Sequence, residues 1–116
     1  MKSVDPGTLR AVVSIMRWES IQDGVNLRED FVKLIETRAS IAAVGALTFW
    51  FGQSQLSDKS VTHRIVFRAV KGRSCVDDLT GRIAIFHGNL RYKVLRTYDF
   101  DGTGRYTVAE CALETV

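Results

Sequence analysis

The chain has 116 residues, 46% hydrophobic and 25% charged, with a formal net charge of +3. This size suits one domain around one core, and the composition excludes disordered, collagen-like and low-complexity classes. The first ten residues hold no apolar stretch, and the most apolar run, Ile41 to Phe51, is far shorter than the roughly 20 residues that span a bilayer. We therefore expect a soluble protein without a signal peptide or membrane segment, whose mild positive charge is compatible with nucleic acid nearby but does not demonstrate it.

The N-terminal part of the chain predicts a β-hairpin. From Leu9 to Ile15, apolar residues alternate with mostly polar ones, which is the period of a half-buried strand. Asp23-Gly24 is a strong hairpin-turn signal. The second half of Phe31–Ala43 alternates as a strand, whereas its first half is compatible with either a continuation of that strand or a short helical turn.

Residues 45–60 interrupt the strand pattern and form a predicted insert. Leu47, Trp50 and Phe51 are spaced i, i+3, i+4, which is typical of one or two helical turns. Gly52 disfavours a longer helix. We predict one short α-helix followed by a long polar loop.

The insert also contains the most unusual local feature of the sequence, the run Phe49-Trp50-Phe51. At least one of these rings is expected to plug the core beneath the helix. The others either join the core or stay partly exposed, and exposed aromatic side chains mark partner surfaces. The sequence leaves both alternatives open.

Strand patterns return after the insert. They cover Val61–Ala69, Arg82–His87, Leu90–Tyr98 and Arg105–Glu114. Strict alternation places Tyr92, Val94 and Tyr98 on one face of their strand, with Ala109 and Cys111 inward on the last strand. The connections are too short for helical crossovers, which favours antiparallel pairing. The sequence predicts a mainly β fold, a small antiparallel barrel or sandwich of about six strands, as a single domain over residues 1–116.

No pattern in the sequence indicates a metal, a cofactor or catalysis. The possible zinc ligands are His63, Cys75, His87 and Cys111, and no pair of them has the spacing of a structural zinc site. We expect both cysteines to be reduced, with Cys111 packed in a strand. Phosphate-loop and serine-elbow motifs are missing, and no spacing couples a nucleophile to a base. We therefore expect no cofactor, no metal and no enzymatic activity.

The segment from Asp99 to Gly102 is similar to the start of a calcium-binding loop. Glu110 even occupies the twelfth position of such a loop. However, the flanking segments are predicted strands, and Thr103 and Arg105 stand where further oxygen ligands are required. A hairpin turn without metal is the better interpretation.

Basic and aromatic residues alternate in Arg91-Tyr92-Lys93 and in Arg105-Tyr106. On an exposed barrel face such residues can stack nucleic-acid bases, as in single-strand-binding proteins of the OB type. In the other interpretation, Tyr92 belongs to the core while Arg91 and Lys93 are solvated on the opposite face.

Several motifs, in order, resemble the bacteriophage head–tail joining family, also called head-closure or stopper proteins of the connector. The matching motifs are Gly7-Thr8-Leu9-Arg10 with Val13 and Ile15, Phe31 followed by Ala39-Ser40-Ile41 through Gly45, the Gln53-Ser54-Gln55-Leu56 end of the insert, Val61-Thr62-His63-Arg64-Ile65 with Arg68, Tyr92-Lys93-Val94, and Arg105, Cys111 and Glu114. The departures are Gly88-Asn89-Leu90-Arg91, which replaces the usual Gly-Arg, and the unusually aromatic insert.

The resemblance implies a structural virion protein, assembled in a bacterial cytoplasm. It would form a ring, about twelve-fold, between the portal or adaptor and the tail, closing the head and retaining packaged DNA. DNA would lie in the lumen without sequence-specific binding. The insert would gate the channel or dock a partner through Phe49, Trp50, Phe51, Gln53, Gln55 and Lys59.

Two roles stay open within this resemblance. His63 is expected to pack in its strand with a hydrogen bond inside the fold, and Arg64 either supports the same strand or contacts a neighbouring subunit. The alternatives to the whole interpretation are an OB-like barrel that binds single-stranded nucleic acid and a ring protein of the tail-terminator type.

Overall fold

The computed structural model describes residues 9–44 and 61–114, without the side chains of Asp23 and Asp101. The strands are β1 (Ala11–Asp23), β2 (Asn26–Ala43), β3 (His63–Arg68), β4 (Ile83–His87), β5 (Leu90–Asp99) and β6 (Tyr106–Glu114). All neighbours pair antiparallel and close a barrel in the order β1-β2-β3-β6-β5-β4. The predicted mainly β, antiparallel fold is confirmed. Two 3-10 turns, Val76–Asp78 and Phe100–Gly102, are the helical segments of the described residues, and the predicted helix in residues 45–60 lies outside them.

Alternating apolar residues fill the barrel. The core cluster consists of Val13, Ile15, Ala39, Ile65, Phe67, Leu79, Ile83, Ile85, Tyr92, Ala109 and Cys111. Phe67 is the largest of the fully buried side chains. Burial of each large aliphatic or aromatic side chain contributes roughly 1.5–3 kcal/mol, so this interior is the main source of stability.

A β-bulge in β2 decides which face carries Phe31. Ile15 pairs with Ile35 and Met16 pairs with Lys33, so Leu34 is an extra residue on β2. The extra residue reverses the alternation. Phe31 therefore lies beside Trp18 on the outer face of the sheet, and the whole of β2 from Asn26 is strand, without a helical turn.

A second β-bulge, in β5, changes which face carries Tyr98. Val94 pairs with Cys111 and Arg96 pairs with Glu110, which leaves Leu95 as the extra residue. Beyond the bulge, Tyr98 pairs with Val108 and is 40% exposed. The prediction that Tyr98 shares the inward face of Tyr92 is therefore wrong, because one inserted residue exchanges the two faces.

Hydrogen bonds fix the connection between β3 and β4 at one end of the barrel. Ser74 is fully buried; its hydroxyl donates to the Arg68 carbonyl and accepts from the Val70 amide, both at 2.8 Å. Thr107 Oγ1 donates to the Ser74 carbonyl at 2.7 Å. On the other side, Arg17 Nε donates to the Thr80 carbonyl at 3.1 Å. These bonds satisfy polar groups that this connection would otherwise bury without partners.

The β1–β2 hairpin extends well beyond the barrel. β1 pairs with β4 only from Ser14 to Arg17, and β2 pairs with β3 only from Ala39 onward. Residues 18–31, here called the arm, pair with each other up to a turn at which Gly24 adopts φ +66°. The arm reaches about 20 Å at the usual rise of a strand. The molecule as a whole measures 52 × 27 × 24 Å.

Candidate interaction surfaces

The barrel interior offers a packed core. Cys111 is fully buried, and desolvation, followed by the charge of Glu110, raises the pKa of its thiol to about 12. The thiol is therefore protonated near neutral pH and is a poor nucleophile. Both cysteines are free thiols. His63 faces Cys111 in the β3–β6 register, but the part of the chain that the structure describes contains no group of three metal-ligating side chains.

The loop after β5 is a turn stabilised by its own carboxylate. Both Asp99 carboxylate oxygens accept the Gly104 amide, at 3.0 and 3.1 Å. Glu110, the twelfth position of the calcium motif, lies within β6 and pairs with arginines. The prediction of a hairpin turn is confirmed.

His63 packs at the end of the barrel from which the insert leaves. Its ring lies edge-on to Tyr92 with centroids 5.0 Å apart. Its Nδ1 is 2.9 Å from Thr62 Oγ1, which also accepts the Leu113 amide at 2.8 Å. The predicted packing of His63 in its strand is therefore confirmed, but its hydrogen bond goes to the exposed neighbour Thr62 and not into the interior.

Tyr92 is unavailable for stacking on a nucleic-acid base. Its side chain is 3% exposed and belongs to the core cluster. Desolvation, followed by the charge of Cys111, raises the pKa of its hydroxyl. Lys93 is exposed and Arg91 half-buried. This arrangement matches the interpretation with Tyr92 in the core and removes the central ring of the base-stacking alternative.

Glu110 forms a buried ionic cluster that the sequence did not reveal. The residue is 3% exposed, and its Oε2 accepts a bond from Arg64 Nη2 at 3.1 Å. Arg96 Nε pairs with the other carboxylate oxygen. A buried carboxylate is tolerated only when its charge is compensated, and these two arginines supply that compensation. Arg64 thus makes an intrachain ion pair, while its side chain remains 39% exposed.

A second feature missed from the sequence is an aromatic cluster on the outer face. Trp18 and Phe31 meet edge to face at 4.8 Å, and Phe31 meets Phe86 in the same way at 5.2 Å. The Arg91 guanidinium lies 5.9 Å from the Phe31 ring centroid and pairs with Glu114 at 3.1 Å. Part of this cluster could have been predicted from the sequence, because Trp18 and Phe86 occupy outward-facing positions in the alternation of their strands. The β-bulge that brings Phe31 to the same face has no clear sequence signal.

A groove of about 450 Å³ runs beside this cluster, and we call it the aromatic groove. Its lining includes Trp18, Phe31, Arg82, Ala84, Lys93 and Leu95. Arg82 and Lys93 are exposed cations, and within the described ranges neither takes part in an ion pair. With Arg91 and Glu114, which also line it, the groove carries a net charge of +2, from three cations and one carboxylate.

The arm has the opposite character. It contains four acidic residues and one arginine, a net charge of −3, although the whole chain carries +3. Its tip exposes two aliphatic side chains, Val25 at 99% and Leu27 at 75%.

The base of the insert is fixed at the barrel end opposite the arm. The Val44 amide donates to the Thr62 carbonyl, and the Thr62 amide donates to the Cys111 carbonyl, both at 2.8 Å. The chain therefore leaves and re-enters the barrel at one place. The predicted docking residues Phe49, Trp50, Phe51, Gln53, Gln55 and Lys59 lie outside the described residues.

Comparison with known proteins identifies the family. The chain matches the model of the phage head completion protein over residues 4–114. It also resembles a chain in a solved structure described as the virion of a native gene transfer agent particle, with a TM-score of 0.57 and 20% identity, covering 93% of this chain and 96% of that chain. That likeness supports the fold. No curated protein matched the chain. Across residues 9–44 and 61–114, no helix has the length and apolar character to cross a membrane. The chain belongs to the phage head completion protein family and is a structural protein of the virion.

Proposed function

We propose that this protein closes the phage head as a ring in the connector, between the portal or adaptor and the tail, and retains the packaged DNA. The observation that carries the proposal is the family match over residues 4–114, joined to a barrel whose insert has a fixed base. No catalytic role is part of the proposal.

The insert is the proposed gating and docking element. Its base is fixed by the Val44–Thr62 hydrogen bond, so the 16 residues 45–60 connect two chain segments that lie side by side. We assign contact with the channel or with a partner to Phe49, Trp50, Phe51, Gln53, Gln55 and Lys59. Packaged DNA would meet this part of the ring through nonspecific electrostatics.

Arg64 is a proposed contact between neighbouring subunits. Its guanidinium already compensates Glu110, and its side chain is 39% exposed. An arginine held in this way is pre-organised to bind a further acceptor on a neighbour, because its planar fork presents several donors.

Co-sedimentation with DNA-filled, tailless phage heads tests the proposal. The unmodified protein should sediment with the heads and reduce DNA leakage. A variant with residues 45–60 replaced by a short Gly-Asn turn should keep the barrel, since Val44 and Thr62 are already adjacent, and leakage should return.

A matched variant with Phe49→Ser, Trp50→Ser and Phe51→Ser retains the insert's length. It distinguishes an effect of the aromatic side chains from an effect of the insert's length. Failure to bind heads, combined with tight salt-sensitive binding to oligonucleotides, would contradict head closure and favour the OB-like alternative. Binding to tail tubes instead of heads would favour the tail-terminator alternative.

A further inference from the structure

We propose that the arm of one copy docks in the aromatic groove of a second copy, and that this contact repeats around the ring. The inference rests on the proposed function, which requires several copies in a ring. It assigns the surfaces that join them.

The tip of the arm presents an apolar anchor. Val25 is 99% exposed and Leu27 is 75% exposed. Beyond Trp18, whose amide donates to the Arg82 carbonyl at 2.9 Å, β1 and β2 pair only with each other along the arm. Leu27 pairs with Gln22 in the hairpin register, so it extends from the same face that carries Trp18 and Phe31 at the base. Aliphatic side chains in this position gain nothing from the fold of their own chain, whereas insertion into a partner's groove removes them from water.

The aromatic groove has the complementary character. It combines the rings of Trp18 and Phe31 with the aliphatic Leu95, and exposed Arg82 and Lys93 also line it. The groove carries a net charge of +2 and the arm a net charge of −3, so the groove of one copy attracts the arm of another. Contact between two arms would instead bring two acidic surfaces together. Charge therefore favours an unlike pairing of surfaces, arm to groove.

The occupant must come from another copy. Trp18 and Phe31 form the base of the arm and also line the groove, so the arm leads away from its own groove. Barrel strands tilt by about 35–45° to the barrel axis, so an extension of β1 and β2 departs to the side. Its reach of about 20 Å is close to the two shorter dimensions of the whole molecule, 27 and 24 Å. A head-to-tail contact of this kind closes into a ring when the rotation between copies allows it.

The size of the contact predicts how assembly behaves. One hairpin tip in one groove covers less than the roughly 800 Å² per partner of a standard interface. We therefore expect weak association in dilute solution, and stable association once the ring closes or is held on a head.

Disulfide trapping tests the contact. The test variant carries Leu27→Cys on the arm and Lys93→Cys in the groove, with Cys75→Ser to remove a native thiol. Cys111 is retained because it is fully buried. The protein is oxidised both alone at high concentration and on DNA-filled heads. A ladder of dimers, trimers and longer species on non-reducing gels is expected in at least one condition.

Two controls define the specificity. The pair Leu27→Cys with Arg68→Cys uses a residue of β3 that is also exposed but lies outside the groove, and it should give no ladder. A mixture of a Leu27→Cys chain with a Lys93→Cys chain should give linked dimers and nothing longer. Since all the substituted positions on the arm, in the groove and on β3 are exposed, thermal unfolding should stay near that of the parent protein.

Each outcome decides between the two proposals. No ladder in either condition overturns the arm–groove contact, and if the parent protein still binds heads and retains DNA, the proposed function stands. A ladder without head binding supports the contact and contradicts head closure. The arm–groove contact is also overturned if Leu27→Cys gives equal ladders with Lys93→Cys and with Arg68→Cys. Strong dimers from Leu27→Cys alone would overturn it as well.

Discussion

Glu110 lies directly opposite Arg64 in the β3–β6 register, and its buried carboxylate accepts a hydrogen bond from that guanidinium at 3.1 Å. Arg96 compensates the same carboxylate from β5. The cluster therefore joins three consecutive strands of the barrel on its outer side.

Removing both arginines should cost more than the sum of the single changes. We expect Arg64→Ala and Arg96→Ala each to lower the free energy of unfolding by about 1–2 kcal/mol, since one cation remains. The double variant should lose about 3–5 kcal/mol, because the buried carboxylate is then uncompensated. Urea unfolding of the double-mutant cycle measures the coupling. Strict additivity would contradict this account, and Arg105→Ala at an exposed site is the control.

The fold was largely predictable from the sequence because period-2 alternation holds in every strand outside the bulges of β2 and β5. The assignment of side chains to the two faces failed where the backbone gains one residue. The bulges at Leu34 and Leu95 exchange faces without any clear signal in the sequence. Tyr98 was misplaced for that reason, and the outer position of Phe31 could not be foreseen.

The interaction surfaces were less predictable than the fold. Glu110 sits between apolar neighbours in β6, and only the cross-strand register brings Arg64 and Arg96 to it. The aromatic groove likewise assembles residues from strands distant in sequence. The insert was predicted from a break in the strand pattern, its docking role was implied by the family resemblance, and its docking residues stay a prediction.

Cys111 should make stability fall at alkaline pH. Its folded-state pKa is raised from 9.0 to about 12, so the folded state prefers the protonated thiol. Stability is fully present below pH 9 and is lost as pH rises toward 12, with a slope of at most about 1.4 kcal/mol per pH unit. Tyr92 adds to the fall above its ordinary pKa of 10.0, because its pKa is also raised.

Urea unfolding at a series of pH values measures this dependence, with Cys111→Ala as the comparison. The variant should be less stable at pH 7 but should show a shallower fall between pH 9 and 10. A thiol reagent should also modify Cys75 in the native protein and Cys111 only after unfolding. Rapid modification of Cys111 in the folded protein would contradict the assignment.

Ser74 should be a stability determinant despite its place in a connection. Its hydroxyl satisfies the Val70 amide and the Arg68 carbonyl at 2.8 Å each. Ser74→Ala should lower the free energy of unfolding by about 1–3 kcal/mol, since those groups lose a partner. Thr103→Ala, in an exposed turn, serves as the comparison and should cost less. Equal midpoints in thermal unfolding would refute the role given to Ser74.

Head closure itself is tested most directly by depletion and add-back. Cells producing the virion without this protein should accumulate filled heads that lack tails and lose DNA to nuclease. Adding the purified protein to those heads should protect the DNA and restore their capacity to join tails. If depleted heads keep their DNA and accept tails equally well without the protein, the head-closure account is wrong.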